Sequence, residues 1–278
     1  MKSSRSLRIL FEDSDFIIIH KPAGVLSVGY PGYSGKSAED ILTGMFRNRG
    51  AVRIRAVHRL DRETSGVMMF ARSEEARNVM MDRWQELVTR RLYRCVCLHD
   101  SRGDGLPPSG VIDAPLAYNR QHRAYVPGLK DPQDTVKTAG KAEKAVTGFR
   151  VVERGRCCDL AECELETGRK NQIRAHMAYM GHPVEGDPVY GNGNTGFPEY
   201  GLALHARILA FTHPFTGESH LFEVPEPDFF RSMLSVQAVT GKAGTHQVSR
   251  QSCSPGGGAP GRVPRGRGRK GSRFIPEK

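Results

Sequence analysis

A chain of 278 residues with 38% hydrophobic residues can bury one sizeable core or two small ones, and its formal net charge of +11 favours a polyanionic partner. The six cysteines form no C-x-x-C pair, and Cys157 and Cys158 are adjacent, which excludes a zinc ribbon or a disulfide framework and fits free thiols in a reducing compartment. No apolar run approaches the roughly 20 residues a membrane helix needs. Glu12, Asp13 and Asp15 interrupt the one N-terminal stretch that begins like a signal peptide. A cytoplasmic protein with no membrane contact is expected.

In chain order, Phe16-Ile-Ile-Ile reads as a short buried strand, ended by the turn-forming Lys21-Pro22-Ala23-Gly24. Val67-Met68-Met69-Phe70 reads as a second. Ser73 then N-caps a helix whose first turn holds Glu74 and Glu75, where the dipole favours acids. Ala76, Val79, Met80, Trp84, Leu87 and Val88 follow at helical spacing, an apolar face that belongs to the core. Residues 92–98 alternate as a strand, with Tyr93, Cys95 and Cys97 on one face. Residues 102–147 are rich in Gly, Pro and charge and read as surface loop, although Tyr118 and Tyr125 lie among bases that could hold RNA. A helix is expected over 169–180, with Ile173, Met177 and Met180 on one face and a stop at Gly181 and Pro183. Strands mixed with few helices, without βαβ alternation, indicate an α+β or mixed α/β sheet protein.

The C-terminal stretch differs. Residues 240–278 hold nine Lys or Arg against one acid and are dominated by Gly and Pro. Such a segment buries too little apolar surface to offset its ordering entropy. The expected organisation is a folded domain over 1–232 and a disordered basic tail over 233–278, which serves either as an RNA-binding arm or as a solvated end.

Chemistry concentrates at His58-Arg-Leu-Asp-Arg-Glu-Thr-Ser-Gly66. Positive charge from Arg59 and Arg62 favours an ionised Asp61, suited to act as nucleophile or base. Taken alone, the segment reads more readily as a solvent-exposed turn with ion pairs. The chain carries no P-loop, no dinucleotide-binding glycine fingerprint and no metal-ligand motif.

The segment resembles the H-R-L-D-x-x-T-S-G signature of the RluA family of pseudouridine synthases at every fixed position. Further family-like segments follow in order: Lys21-Pro-Ala-Gly-Val25, Arg91-Leu-Tyr93, Lys141 to Thr147, Thr167-Gly-Arg-Lys-Asn-Gln-Ile-Arg-Ala-His176, Gly181-His-Pro-Val-Glu-Gly-Asp-Pro-Val-Tyr-Gly191, Leu204-His-Ala206 and Phe211-Thr-His-Pro214. Asn171 stands where the family has histidine, and Cys95 and Cys97 replace common Ala and Val. The chain starts almost directly on the catalytic segment, leaving no room for the S4-type RNA-binding module of many relatives.

The resemblance implies a curved, mostly antiparallel mixed sheet flanked by helices, with the active site in a central basic cleft. It implies isomerisation of uridine in structured RNA, ribosomal or transfer, by a monomer that needs no metal or other cofactor. Asp61 would be the catalytic carboxylate, attacking C1′ or abstracting the C2′ proton, and Tyr93 the partner of the base. Arg174 would pair with the carboxylate. Arg59, Arg62 and Arg169 would contact RNA, and Ile173 would form an apolar wall. His176, His182, His205 and His213 read as structural, and Asp187 as a turn residue. A non-catalytic RNA-binding or ribosome-assembly protein on the same fold is the alternative.

Overall fold

The computed structural model describes residues 7–48, 53–128, 141–191 and 201–235. The basic C-terminal segment falls outside them. The elements in chain order are β1 (Arg8–Glu12), β2 (Phe16–Lys21), α1 (Ala38–Phe46), β3 (Arg55–Ala56), β4 (Ser65–Ala71), α2 (Glu74–Asp82), α3 (Trp84–Leu87) and β5 (Val88–Leu98). They continue with β6 (Ser109–Asp113), β7 (Ala117–Tyr118), β8 (Ala124–Tyr125), β9 (Val146–Arg154), β10 (Cys158–Leu165), α4 (Gln172–Tyr179), β11 (Leu204–Thr212), β12 (Ser219–Glu223) and α5 (Phe229–Ser235).

One mixed sheet dominates, in the order β1-β2-β4-β11-β5-β10-β9-β6, with β3 on β4 and β12 on β11. Every pairing is antiparallel except that of β4 with β11. The α+β expectation holds, and β7 and β8 form a separate small hairpin inside the stretch expected to be loop.

The apolar runs at Phe16 and Val67 do not alternate because both faces of their strands are covered. Phe16, Ile18, Val67 and Met69 pack with Ala76 and Met80 of α2. Ile17, Ile19, Met68 and Phe70 pack on the opposite side with Ala38, Leu42 and Phe46 of α1. Burial of each such side chain contributes about 1.5–3 kcal/mol. The helix α1 is absent from the sequence reading, although Ser37 and Asp40 form a capping box at its start.

The helix after Ser73 is shorter than its apolar stripe suggests. It breaks at Arg83 (φ −104°), leaves one short turn in α3, and gives Val88 to β5, where it pairs with Phe211. Pairing on both edges of the eleven-residue β5 overrides the helical spacing. At the other end α5 carries the packed chain to Ser235, just past the expected boundary at 232, burying Phe230, Met233 and Leu234.

Gly66 marks where the β3–β4 connection meets the sheet. Its φ is +121°, and a Cβ there would collide with the backbone of Ala206 across the parallel β4–β11 pair. Gly66→Ala is expected to lower unfolding free energy by about 3 kcal/mol or more. Urea titration measures this, and a loss below about 1 kcal/mol contradicts the close approach.

Candidate active site

The site forms where the β3–β4 connection, β5 and the start of α4 converge. His58 Nε2 accepts the Met69 N–H at 3.0 Å. Burial, aided by nearby Arg91, pushes this imidazole down to about 3. The ring is therefore neutral and serves as a fixed backbone acceptor, tilted against Trp84 with ring centroids 5.2 Å apart.

The residues on either side of Asp61 are clamped through their backbones. Ser27 Oγ donates to the Leu60 carbonyl at 2.7 Å and accepts the Leu60 N–H at 3.0 Å. The Arg62 carbonyl accepts from Gly24 N at 2.8 Å and from Lys21 Nζ at 3.2 Å. Lys21 is fully buried and also donates to the carbonyls of Val25 and Pro22. Burial pushes its ammonium down to about 8, against the pull of Glu63 and Asp61. Sequence reasoning took Lys21 for part of a turn and passed over Ser27; neither role has a local pattern.

From α4, Arg174 Nη1 donates to Asp61 Oδ2 at 2.9 Å. The other edge of the guanidinium grips Asp187 with two bonds, Nε at 2.7 Å and Nη2 at 2.8 Å. Asp187 also accepts the N–H groups of Val189 and Tyr190, so it is a turn residue as expected and an anchor as well. Burial works against the Arg174 charge, but the bonds from Asp187 and Asp61 outweigh it and hold its pKa above the ordinary value.

These groups border a cleft of about 170 Å³, the scale of one nucleobase rather than a stacked duplex. Arg59, Asp61, Thr64, Tyr93, Ile173 and Arg174 line it, with Arg169 and Lys170 at the same opening. Ile173 is buried and lines the same cleft. Tyr93 is half-buried, and burial pushes its phenol up to about 12, so the ring is un-ionised near neutrality. Arg169 is exposed and paired with Glu143 at 2.6 Å.

Arg62 does not line this cleft: its Nε lies 3.3 Å from Glu63 and 3.4 Å from the Gly24 carbonyl. The ion pair on Asp61 is made by Arg174, 113 positions away in the chain.

A second cluster, Asp13, Asp15 and His213, has ligand atoms within 4.8 Å of one another. His213 Nδ1 accepts backbone N–H groups from Phe215 and Thr216. With Nδ1 accepting, Nε2 is the nitrogen left to face Asp13, at 3.3 Å across two chain segments. His176 bonds Thr147 and the Ala114 carbonyl, and His205 bonds Ser65 and the Val224 carbonyl, both structural as expected.

The family model for RNA pseudouridylate synthases matches residues 15–179. The chain is 36% identical to the RNA pseudouridine synthase YlyB of Bacillus subtilis, over 82% of this chain and 72% of that protein. It is 37% identical to a ribosomal large subunit pseudouridine synthase D of Neisseria meningitidis, over 83% of this chain and 61% of that protein. The human RNA pseudouridylate synthase domain containing 1 shares the fold, with a TM-score of 0.66 at 21% identity over 87% of this chain and 94% of that one. The family model and these relatives mark the chain as an RNA-modifying isomerase. The chain belongs to the RNA pseudouridylate synthase family.

Two outcomes follow from the geometry. Asp187→Asn removes the charge that orients Arg174, and kcat is expected to fall about 100-fold; an unchanged single-turnover rate removes Asp187 from the positioning chain. For Lys21, the folded pKa lies below the unfolded value of 10.5, so the unfolded chain binds more protons between pH 8 and 10.5. Stability of the wild type relative to Lys21→Met should therefore rise with pH in that window, by about 1 kcal/mol per unit. Denaturant titrations at pH 8 and 9.5 measure the slope, and a flat difference sinks it.

Proposed function

We propose that this chain isomerises uridine to pseudouridine in large-subunit ribosomal RNA, with Asp61 as its reactive carboxylate. The observation that carries the reading is the Asp61–Arg174 pair beside a base-sized cleft. The relatives named as ribosomal large subunit enzymes support the choice of RNA. Cytoplasm is the compartment that fits this substrate, and five free thiols among the described residues accord with it.

In the reaction the C1′–N1 bond breaks, the uracil turns, and a C1′–C5 bond forms, with the C5 proton lost and N1 protonated. The change is redox-neutral. A base in a stacked helix is hidden, so the nucleotide is flipped into the cleft at a cost of a few kcal/mol. Ile173 gives the base an apolar wall, and Arg59, Arg169 and Lys170 at the opening meet the phosphates. Arg174 holds Asp61 through Oδ2 beside the cleft, a placement that serves both attack on C1′ and abstraction of the C2′ proton. Tyr93, un-ionised, acts as a ring against the base and as a hydroxyl that relays a proton, not as a standing phenolate base. A purely RNA-binding protein has no use for a charged carboxylate pinned beside a small cleft.

Pseudouridine mapping on RNA from cells with the gene deleted, restored, and restored as Asp61→Asn tests the reading. One or a few large-subunit sites should vanish and return only with the wild-type gene. Sites confined to transfer RNA would move the substrate, and restoration by Asp61→Asn would remove the carboxylate from the chemistry. Purified Tyr93→Phe should still bind RNA within about twofold while turnover falls by about 100-fold or more, the range of a lost proton-transfer group.

A further inference from the structure

Asn171 departs from the family's histidine, and the backbone there is left-handed, with φ at +56°. Asparagine is one of few side chains that adopts this conformation at small cost. It occupies the N-cap of α4, yet its side chain makes no capping bond, which is the usual work of asparagine at that place. The amide faces Asp61 instead. With its nitrogen toward the carboxylate, Nδ2 lies 2.9 Å from Oδ2 and 3.1 Å from Oδ1. The opposite orientation would press the amide oxygen against both carboxylate oxygens, so repulsion settles which way the group points. Its side chain also meets the Tyr190 hydroxyl.

We infer that Asn171 is a positioning residue that locks the rotation of the Asp61 carboxylate, an inference that rests on Asp61 being the reactive group. Arg174 reaches only Oδ2, and one contact leaves a carboxylate free to turn about its Cβ–Cγ bond. The Asn171 contact to Oδ1 removes that freedom and presents the carboxylate to the cleft in one orientation. A neutral amide has no proton to gain or lose near neutrality, so the hold is the same at every working pH. A histidine in its place would titrate near 6.5. The groups facing the amide are Asp61 and Tyr190, with Arg174 and Asp187 behind them. Arg174 is held charged, and burial pushes the Tyr190 phenol up, so neither changes charge between about pH 5 and 8.

The test uses the full chain on total RNA from the deletion strain, which contains the unmodified target whatever its class. Asn171→Gly keeps a residue at ease with the left-handed backbone and deletes the amide. Its kcat should fall about 10- to 100-fold, with KM within about twofold of wild type. Asn171→Asp is isosteric and sets a second carboxylate against the first, so the pair should hold a proton to higher pH. The acid limb of its rate profile should move up by about one unit or more, a shift that a packing role does not produce. Asn171→His should restore part of the rate lost in Asn171→Gly, with a new inflection near pH 6 to 7. A kcat for Asn171→Gly within twofold of wild type, or an acid limb unmoved in Asn171→Asp, overturns the inference while Asp61→Asn remains inactive. Activity in Asp61→Asn overturns the carboxylate reading and this inference together.

Discussion

The structure depends on one buried guanidinium that serves two carboxylates. Arg174 and Asp187 are both almost fully buried, and Asp61 is only partly covered. Taking these charges out of water costs several kcal/mol per ion, and only the two-bond geometry with Asp187 and its further backbone donors offsets that cost. The arrangement is asymmetric. Asp187, bonded on every side, is the fixed end. Asp61, at the cleft, is the end open to it. Removing either partner strands a buried charge, which costs about 3–5 kcal/mol in comparable pairs.

Around this pair, rigidity comes from the backbone more than from side-chain packing. Ser27 and Lys21 hold the carbonyls of Leu60 and Arg62, so the residue between them cannot drift. His58 holds the strand that follows, and Gln172 ties the start of α4 to β9 through the Val146 carbonyl and the Thr147 hydroxyl. Each tether joins segments distant in the chain. Asp61 therefore sits on a connection tethered at both neighbours, while Tyr93 rests on β5 and Arg174 on α4, a placement that holds their mutual geometry within tolerance.

How much of this the sequence disclosed follows from the range of the forces involved. The β2 and β4 strands were legible because burial on both faces leaves an unbroken apolar run. The proposed roles of Asp61, Tyr93, Ile173 and Arg174 come only from resemblance to a family, since nothing local distinguishes a catalytic aspartate from an ion-paired turn. Misreadings arose where distant partners decide the outcome. Sheet pairing claimed Val88 from a helical stripe, and the second role of Asp187, its grip on Arg174, was missed because it spans a fold in the chain. Net charge was the least specific signal: nine of the 41 basic residues and one of the 30 acids lie in 240–278, so the excess says more about that segment than about the cleft.

The position of β11 has a consequence for how the enzyme comes into being. This strand, near the end of the described chain, inserts between β4 and β5, which precede it by more than a hundred residues. Until residues 204–212 have left the ribosome, the strand that joins β4 to β5 is missing, and the segments carrying Asp61 and Tyr93 are not held in one sheet. Pairings this remote in sequence are slow to close. The site is thus assembled last and all at once, and a chain cut short before β11 lacks a weakened site as much as a complete one.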